Sequence, residues 1–167
     1  MHVQGTATVL GDDIDTDTIF PGRYLAVLRP QDQAKHLFEP LGEALRQKVI
    51  AGGVVVGGWN FGCGSSREHA VTSMLGAGVK LVVAKSFSRI FFRNAVNNGL
   101  AVVISPELAE AAGDGAAVSA DLETGEARVG DQAVRFTPLP AEVLSILTAG
   151  GLWPSKNFKP VIEIKAS

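Results

Sequence analysis

The residue types best suited to chemistry are concentrated in one stretch, Asn60-Phe61-Gly62-Cys63-Gly64-Ser65-Ser66-Arg67-Glu68-His69-Ala70. Gly62 and Gly64 let the backbone turn sharply and leave room for a ligand to approach it. Ser65 or Ser66 suits a helix N-cap, and Glu68 falls three residues after Ser65, where a capping-box acid would stand. The unpaired N–H groups of such a first turn form an anion site, and Arg67 can grip a carboxylate with two hydrogen bonds. A Gly-Ser-Ser turn with a capping acid is also an ordinary way to begin a helix, so at this level both readings stand. A phosphate-cradling P-loop is disfavoured, because no Gly-Lys-Ser/Thr follows the glycines. The nucleophile elbow of the α/β-hydrolases fails too: its glycine two places after the serine is here Arg67.

Other groups carry weaker signals. Asp17 either caps the segment after it or serves a site. Cys63 is the chain's one cysteine. A single thiol cannot close an internal disulfide, build a structural zinc site or hold an iron–sulfur cluster, so Cys63 reads as a small packed thiol. Glu68 and His69 read as helix-face or capping residues. Arg89 and Arg93, four apart, share one helix face; they either meet a substrate or partner or sit solvated. Phe87, Phe91 and Phe92 read as core.

The elements that must position these groups follow from local pattern. Residues 2–10 partly alternate and predict a strand, ending in the turn- and cap-rich residues 11–18. A short helix or loop is expected around Tyr24 to Leu28. Residues 30–40, polar and bounded by Pro30 and Pro40, suit a mobile surface loop. Gly53 to Gly58 is a short apolar strand of the kind buried on both faces. Helices over 66–77 and 87–97 alternate with strands over 79–84 and 100–104. That alternation predicts a parallel α/β sheet. Residues 117–122 and 127–129 form a hairpin with Gly125 in its turn, 131–136 add a strand, and Pro140 to Leu147 close with a helix. Residues 152–167 carry little signal and are expected to lie on a partner or be loose. The expectation is one α/β domain over residues 1–167, with a small parallel-containing sheet, antiparallel strands and a C-terminal helix.

Composition bounds the function. Of 167 residues 46% are hydrophobic and 19% charged, the balance of a folded globular chain. Net charge is -2 and no basic stripe offers a surface for phosphates, which argues against nucleic acid as a partner. No secretory leader and no membrane-length apolar run is visible, so a cytoplasmic protein away from membranes is expected.

The motif over 60–70 closely resembles the signature of the swivelling β/β/α domain of the aconitase superfamily. Asp15-Thr16-Asp17-Thr18-Ile19-Phe20-Pro21-Gly22-Arg23-Tyr24-Leu25 resembles its second motif, and Lys85-Ser86-Phe87-Ser88-Arg89-Ile90-Phe91-Phe92-Arg93-Asn94, with Asn97, Asn98 and Gly99, a third. Their order and spacing agree as well. The resemblance implies a hydro-lyase that moves a hydroxyl between neighbouring carbons of a hydroxy-di- or tricarboxylate. It implies that this chain is the small subunit of a two-component enzyme, whose large subunit carries a [4Fe–4S] cluster as Lewis acid. It matches Ser65 to the catalytic base, Ser66 and Arg67 to substrate-carboxylate ligands beside Gly64, and Asp17 to an active-site acid. A serine hydroxyl becomes a base only where positive potential lowers the cost of an alkoxide, so Ser65 needs the helix terminus, Arg67 and the partner's cluster.

The same family associates the residues after a Tyr-Leu pair with substrate choice. Here Tyr24-Leu25 is followed by Ala26-Val27-Leu28, with Arg29 beyond. Small apolar side chains suit an isopropyl substituent and leave a third carboxylate without a charged partner, which favours an isopropylmalate-type substrate over homoaconitate. Citraconate- or dimethylmalate-type hydration is a further option. A stand-alone carboxylate-binding or regulatory module is the alternative of another class.

Overall fold

The computed structural model describes residues 1–153 of the 167. Its frame is one mixed sheet of seven strands in the order β4-β3-β2-β1-β5-β6-β7. Strands β1 (His2–Val9), β2 (Gly53–Gly57), β3 (Leu81–Ala84) and β4 (Ala101–Ile104) run parallel to one another. Strands β5 (Ala117–Asp121), β6 (Glu126–Val129) and β7 (Gln132–Arg135) continue the sheet from β1 in antiparallel pairing. The parallel half and the antiparallel half are therefore those expected from the sequence.

Among the described residues seven α-helices accompany the strands: α1 (Thr16–Ile19), α2 (Pro30–Gln33), α3 (Glu43–Gly52), α4 (Glu68–Gly76), α5 (Arg89–Asn97), α6 (Pro106–Ala111) and α7 (Ala141–Thr148). Period-two alternation divides the parallel strands between two cores. Val55, Val82, Ala84 and Val102 face a layer containing Ile19, Val49, Val71, Met74 and Phe91 from α1, α3, α4 and α5. Val54, Val56, Leu81, Val83, Ala101 and Val103 face the opposite layer, with Leu108 of α6 and Leu147 of α7. Strands buried on both sides must be apolar throughout, which is why Gly53 to Gly57 shows no alternation in its sequence.

Three expectations need correction. Helices α3 and α6 were not expected: α3, at 10 residues, is weakly patterned, and α6 is short at 6. Residues 30–40 are not a mobile surface loop: α2 is followed by 3₁₀ turns at Ala34–His36 and Glu39–Leu41, and Leu37 and Phe38 are fully buried. Their two apolar side chains are drawn into the core beside Ile19, and buried Gln33 satisfies its amide on the carbonyls of Val27 (2.9 Å) and Leu28 (3.3 Å). Helix α4 begins at Glu68 with Arg67 in the cap position and no side-chain cap, so neither Ser65 nor Ser66 is the N-cap. The tail expected over 152–167 falls almost wholly outside the described residues. Among the described residues no helix is long and apolar enough to cross a membrane.

Gly62 is a position in the motif loop where the backbone tolerates no side chain. Its φ is +75°, and a Cβ there would lie 2.2 Å from Cγ of Phe91. Gly62→Ala is expected to cost about 3 kcal/mol or more, from left-handed strain plus overpacking. Gly11→Ala, with nothing within 4 Å of its Cβ, should stay within about 0.5 kcal/mol of the parent. Chemical denaturation of the two variants checks the contrast, and equal midpoints would refute it.

Candidate active site

The carboxyl ends of β1, β2 and β3 lie side by side, and each is followed by one of the three sequence motifs. This edge is where open α/β sheets hold their ligands. The loops after the strands are joined by main-chain hydrogen bonds. Gly62 N–H donates to Ile14 O (2.7 Å) and Thr16 N–H to Cys63 O (2.9 Å), which ties the 60–67 loop to α1. Phe61 N–H donates to Ser86 O (3.0 Å) and Ser88 N–H to Phe61 O (2.9 Å), which ties it to the segment before α5. The Ser88 hydroxyl adds a bond to Gly62 O (2.7 Å) while accepting from Phe91 N–H (3.2 Å) to cap α5. Asn60 takes a left-handed φ of +59° and donates its amide to Asp13 Oδ1 (2.9 Å).

This stitching presents Gly64, Ser65 and Ser66 on the surface. Among the described residues no hydrogen bond engages either serine hydroxyl. Arg67, the next residue, is held in place: its Nη1 pairs with Asp17 Oδ1 and reaches Phe20 O at 3.5 Å. Gly22 allows that approach, because a Cβ there would lie 3.2 Å from both Nη1 and Nη2. No protein acceptor among the described residues uses Nε or Nη2, so three of the five guanidinium N–H donors remain for an anion.

Asp17 is not the cap of its helix. Asp15 is, accepting from Thr18 N–H at 2.7 Å. Asp17 is released to hold Arg67 and also accepts from Gly22 N–H at 3.2 Å. The Arg67 hydrogen bond keeps the Asp17 carboxyl below its ordinary value, against an opposing effect of burial. Its side chain is 63% exposed, so solvent screens the pair and its role is to fix geometry more than to stabilise the fold.

Cys63 lies in the loop with its thiol pushed up by burial first, then by Asp15 and Asp13. One thiol alone cannot supply the several thiolates that an iron–sulfur cluster commonly takes. Among the described residues no group of three or more His, Cys, Asp or Glu side chains could hold a metal ion. The residues of this chain do not fit a [4Fe–4S] cluster.

Tyr24, Leu25 and Ala26 follow Gly22 around the same edge. Leu25 and Ala26 are exposed, whereas Tyr24 is half-buried. Its hydroxyl donates to Glu39 Oε1 (3.2 Å), its ring stacks on His36 at 3.6 Å, and Phe20 meets it edge-on at 6.3 Å. Arg29 is held by Asp32 (2.9 Å). Arg89 and Arg93 line a separate cavity of about 350 Å³ with Phe87, Phe92 and Ile104. His69 stacks on Phe20 (5.5 Å) as a packing residue. Sequence reasoning gave no role to Gly22, Asp15, His36 or Glu39: Asp15 and Gly22 lie within the second motif, but Gly22's approach to Arg67 and Glu39's bonds to Arg23 and Tyr24 are set by tertiary approach.

This fold and site define the class. The family model of the aconitase C-terminal domain matches residues 42–107. A 3-isopropylmalate dehydratase small subunit of Methanopyrus kandleri is 47% identical over 152 residues, covering 90% of this chain and 89% of that one. One from Saccharolobus solfataricus is 44% identical over 152 residues, covering 91% and 92%. The crystal structure of 3-isopropylmalate dehydratase from Methanocaldococcus jannaschii matches with a TM-score of 0.85 at 41% identity, covering 93% of each chain. The chain belongs to the family of 3-isopropylmalate dehydratase small subunits.

The Asp17–Arg67 geometry sets a measurable titration. Carboxyl-carbon NMR should place the Asp17 midpoint below that of an ordinary aspartate, and Arg67→Ala should return it upward. A lowered native value stabilises the fold above the ordinary carboxylate range, and that contribution disappears as pH falls through the lowered value. An Asp17 midpoint indifferent to Arg67→Ala would contradict the pairing.

Proposed function

We propose that this chain is the small subunit of a 3-isopropylmalate dehydratase, interconverting 2- and 3-isopropylmalate by dehydration and rehydration together with a large subunit. The observation that carries the reading is the exposed Ser65-Ser66 turn, presented beside Arg67 where three strand-end loops meet. An anion-gripping cation next to two uncommitted hydroxyls is half of a site for a hydroxy-dicarboxylate.

Ser65 takes the proton from the carbon next to a carboxylate and later returns it. Arg67, with Nε and Nη2 free, grips that carboxylate with two hydrogen bonds, and the Ser66 hydroxyl and Gly64 backbone line its approach. The carboxylate's own binding cation and the free N–H groups at the start of α4 lower the cost of charge on Ser65. Asp17 orients the guanidinium. Tyr24, Leu25 and Ala26 meet the substituent, where exposed apolar groups suit an isopropyl branch. The [4Fe–4S] cluster implied by the family belongs to the large subunit in this reading, and there it supplies a Lewis acid for the departing hydroxyl. An assembly within the cytoplasm is consistent with a biosynthetic enzyme of this kind. Arg29, occupied by Asp32, leaves a homoaconitate-type third carboxylate without a ready partner.

Ser65→Ala, mixed with a cluster-bearing large subunit, should lose about 10²–10⁴-fold in turnover of 3-isopropylmalate, the usual scale for a proton-transfer group. Co-purification should show assembly unchanged. A near-parental rate would reject the role of Ser65.

A further inference from the structure

Two arginines, Arg23 and Arg29, stand on either side of the segment proposed to meet the variable part of the substrate. Neither carries an uncompensated charge. Arg29 is held by Asp32, and Arg23 by Glu39. Glu39 does more than neutralise a charge. Its Oε1 accepts from the Tyr24 hydroxyl at 3.2 Å as well as from Arg23, and its Oε2 meets His36 Nδ1 at 3.3 Å. Arg23 in turn lies over the Tyr24 ring, 4.8 Å from its centroid, opposite in role to the His36 stack at 3.6 Å. The Tyr24 hydroxyl, then His36 and Arg23, hold the Glu39 carboxyl below its ordinary value.

The chemistry of the substrates gives this arrangement a consequence. 3-Isopropylmalate is malate with an isopropyl group on C3, and isocitrate is malate with a carboxymethyl group on that carbon. Both share the hydroxyl and the two carboxylates that the Ser65–Arg67 edge would handle. Discrimination rests on whether the third group meets an apolar surface or a free cation. Arg23 is the candidate cation for a third carboxylate, because it stands in the chain between Gly22, which packs against the Arg67 guanidinium, and Tyr24, over whose ring it lies.

We infer that Glu39 is a specificity-determining positioning residue: by pairing Arg23 and fixing Tyr24, it keeps the substituent-facing segment free of uncompensated positive charge. The inference rests on the proposed reading of Tyr24, Leu25 and Ala26 as facing that substituent. Glu39 touches no reacting atom; it acts through Arg23 and Tyr24. Excluding a charged substituent in this way costs the isopropyl substrate nothing, whereas a carboxymethyl group would have to displace an existing ion pair or lie desolvated without a partner.

The test uses the reconstituted pair of subunits. Glu39→Gln removes the charge yet keeps an oxygen acceptor for Tyr24. It should raise kcat/KM for isocitrate relative to 3-isopropylmalate by about tenfold or more, the scale of one freed charged contact, with kcat on 3-isopropylmalate little changed. Glu39→Asp should keep the parental ratio, and adding Arg23→Gln to Glu39→Gln should cancel the gain. An unchanged ratio in an active Glu39→Gln enzyme overturns the inference, as does a gain that survives Arg23→Gln. If Glu39→Gln fails to fold, Arg23→Gln decides with a carboxymethyl-bearing inhibitor, tricarballylate: the inference requires its weak inhibition to be the same with and without Arg23, and loss of a pre-existing affinity overturns it. A parental pair inert toward 3-isopropylmalate would instead overturn the functional reading itself, and the inference with it.

Discussion

The structure depends on the main-chain stitching of three loops at one end of a parallel sheet. Parallel strands place the ends of β1, β2 and β3 within reach of one another, but each loop alone would be a flexible connection. Bonds from Gly62 to Ile14, Thr16 to Cys63, Phe61 to Ser86 and Ser88 to Phe61 turn the three into one body. Backbone donors satisfied in this way need no water, so the loop can stand at the surface and still hold a defined shape. Gly62 fits against Phe91 because it has no side chain, and that contact couples the loop to the core beneath. Everything proposed for Ser65 follows from its being carried on this rigid rim.

The electrostatics of the rim are incomplete. Arg67 spends one nitrogen on Asp17 and Phe20 and keeps the others free, while the serine hydroxyls have no partner among the described residues. An alkoxide here would face a single guanidinium and one helix terminus across solvent, where a charge interaction is worth about 1 kcal/mol. Excluding water strengthens the same contacts several-fold. The loop's cysteine is the chain's one thiol, and among the described residues no group of three or more His, Cys, Asp or Glu side chains joins it as metal ligands. A covering surface from another chain is what the geometry asks for, in keeping with relatives that are named small subunits.

Much of this was legible in the sequence because the signals were local. Apolar runs such as Val54-Val55-Val56 report strands buried on both faces, and the glycine-rich turn after β2 reports its own sharp path. Ser65, Ser66 and Arg67 were singled out by their resemblance to the family's motif. Gly64, Tyr24, Leu25 and Ala26 came from the same source, and their roles remain proposals. What the sequence hid was set by tertiary approach. Asp15 and Asp17 are both acids at the start of one short helix, and only the fold decides that Asp15 caps it and Asp17 faces Arg67. Residues 30–40 look polar because Gln33, Lys35, His36 and Glu39 are, yet Leu37 and Phe38 anchor the stretch and Gln33 is buried with its hydrogen bonds satisfied. Helix α3 owes its place to packing of Val49 rather than to a strong amphipathic pattern.

The central claim is that this chain carries half of a carboxylate site and that a large subunit completes it. Calorimetric titration of 3-isopropylmalate, first into the isolated chain and then into the reconstituted pair, tests it most directly. The account predicts no micromolar binding by the isolated chain and binding by the pair that Arg67→Ala abolishes. Micromolar, Arg67-dependent binding by the isolated chain would contradict it and mark the chain as a self-sufficient carboxylate-binding module.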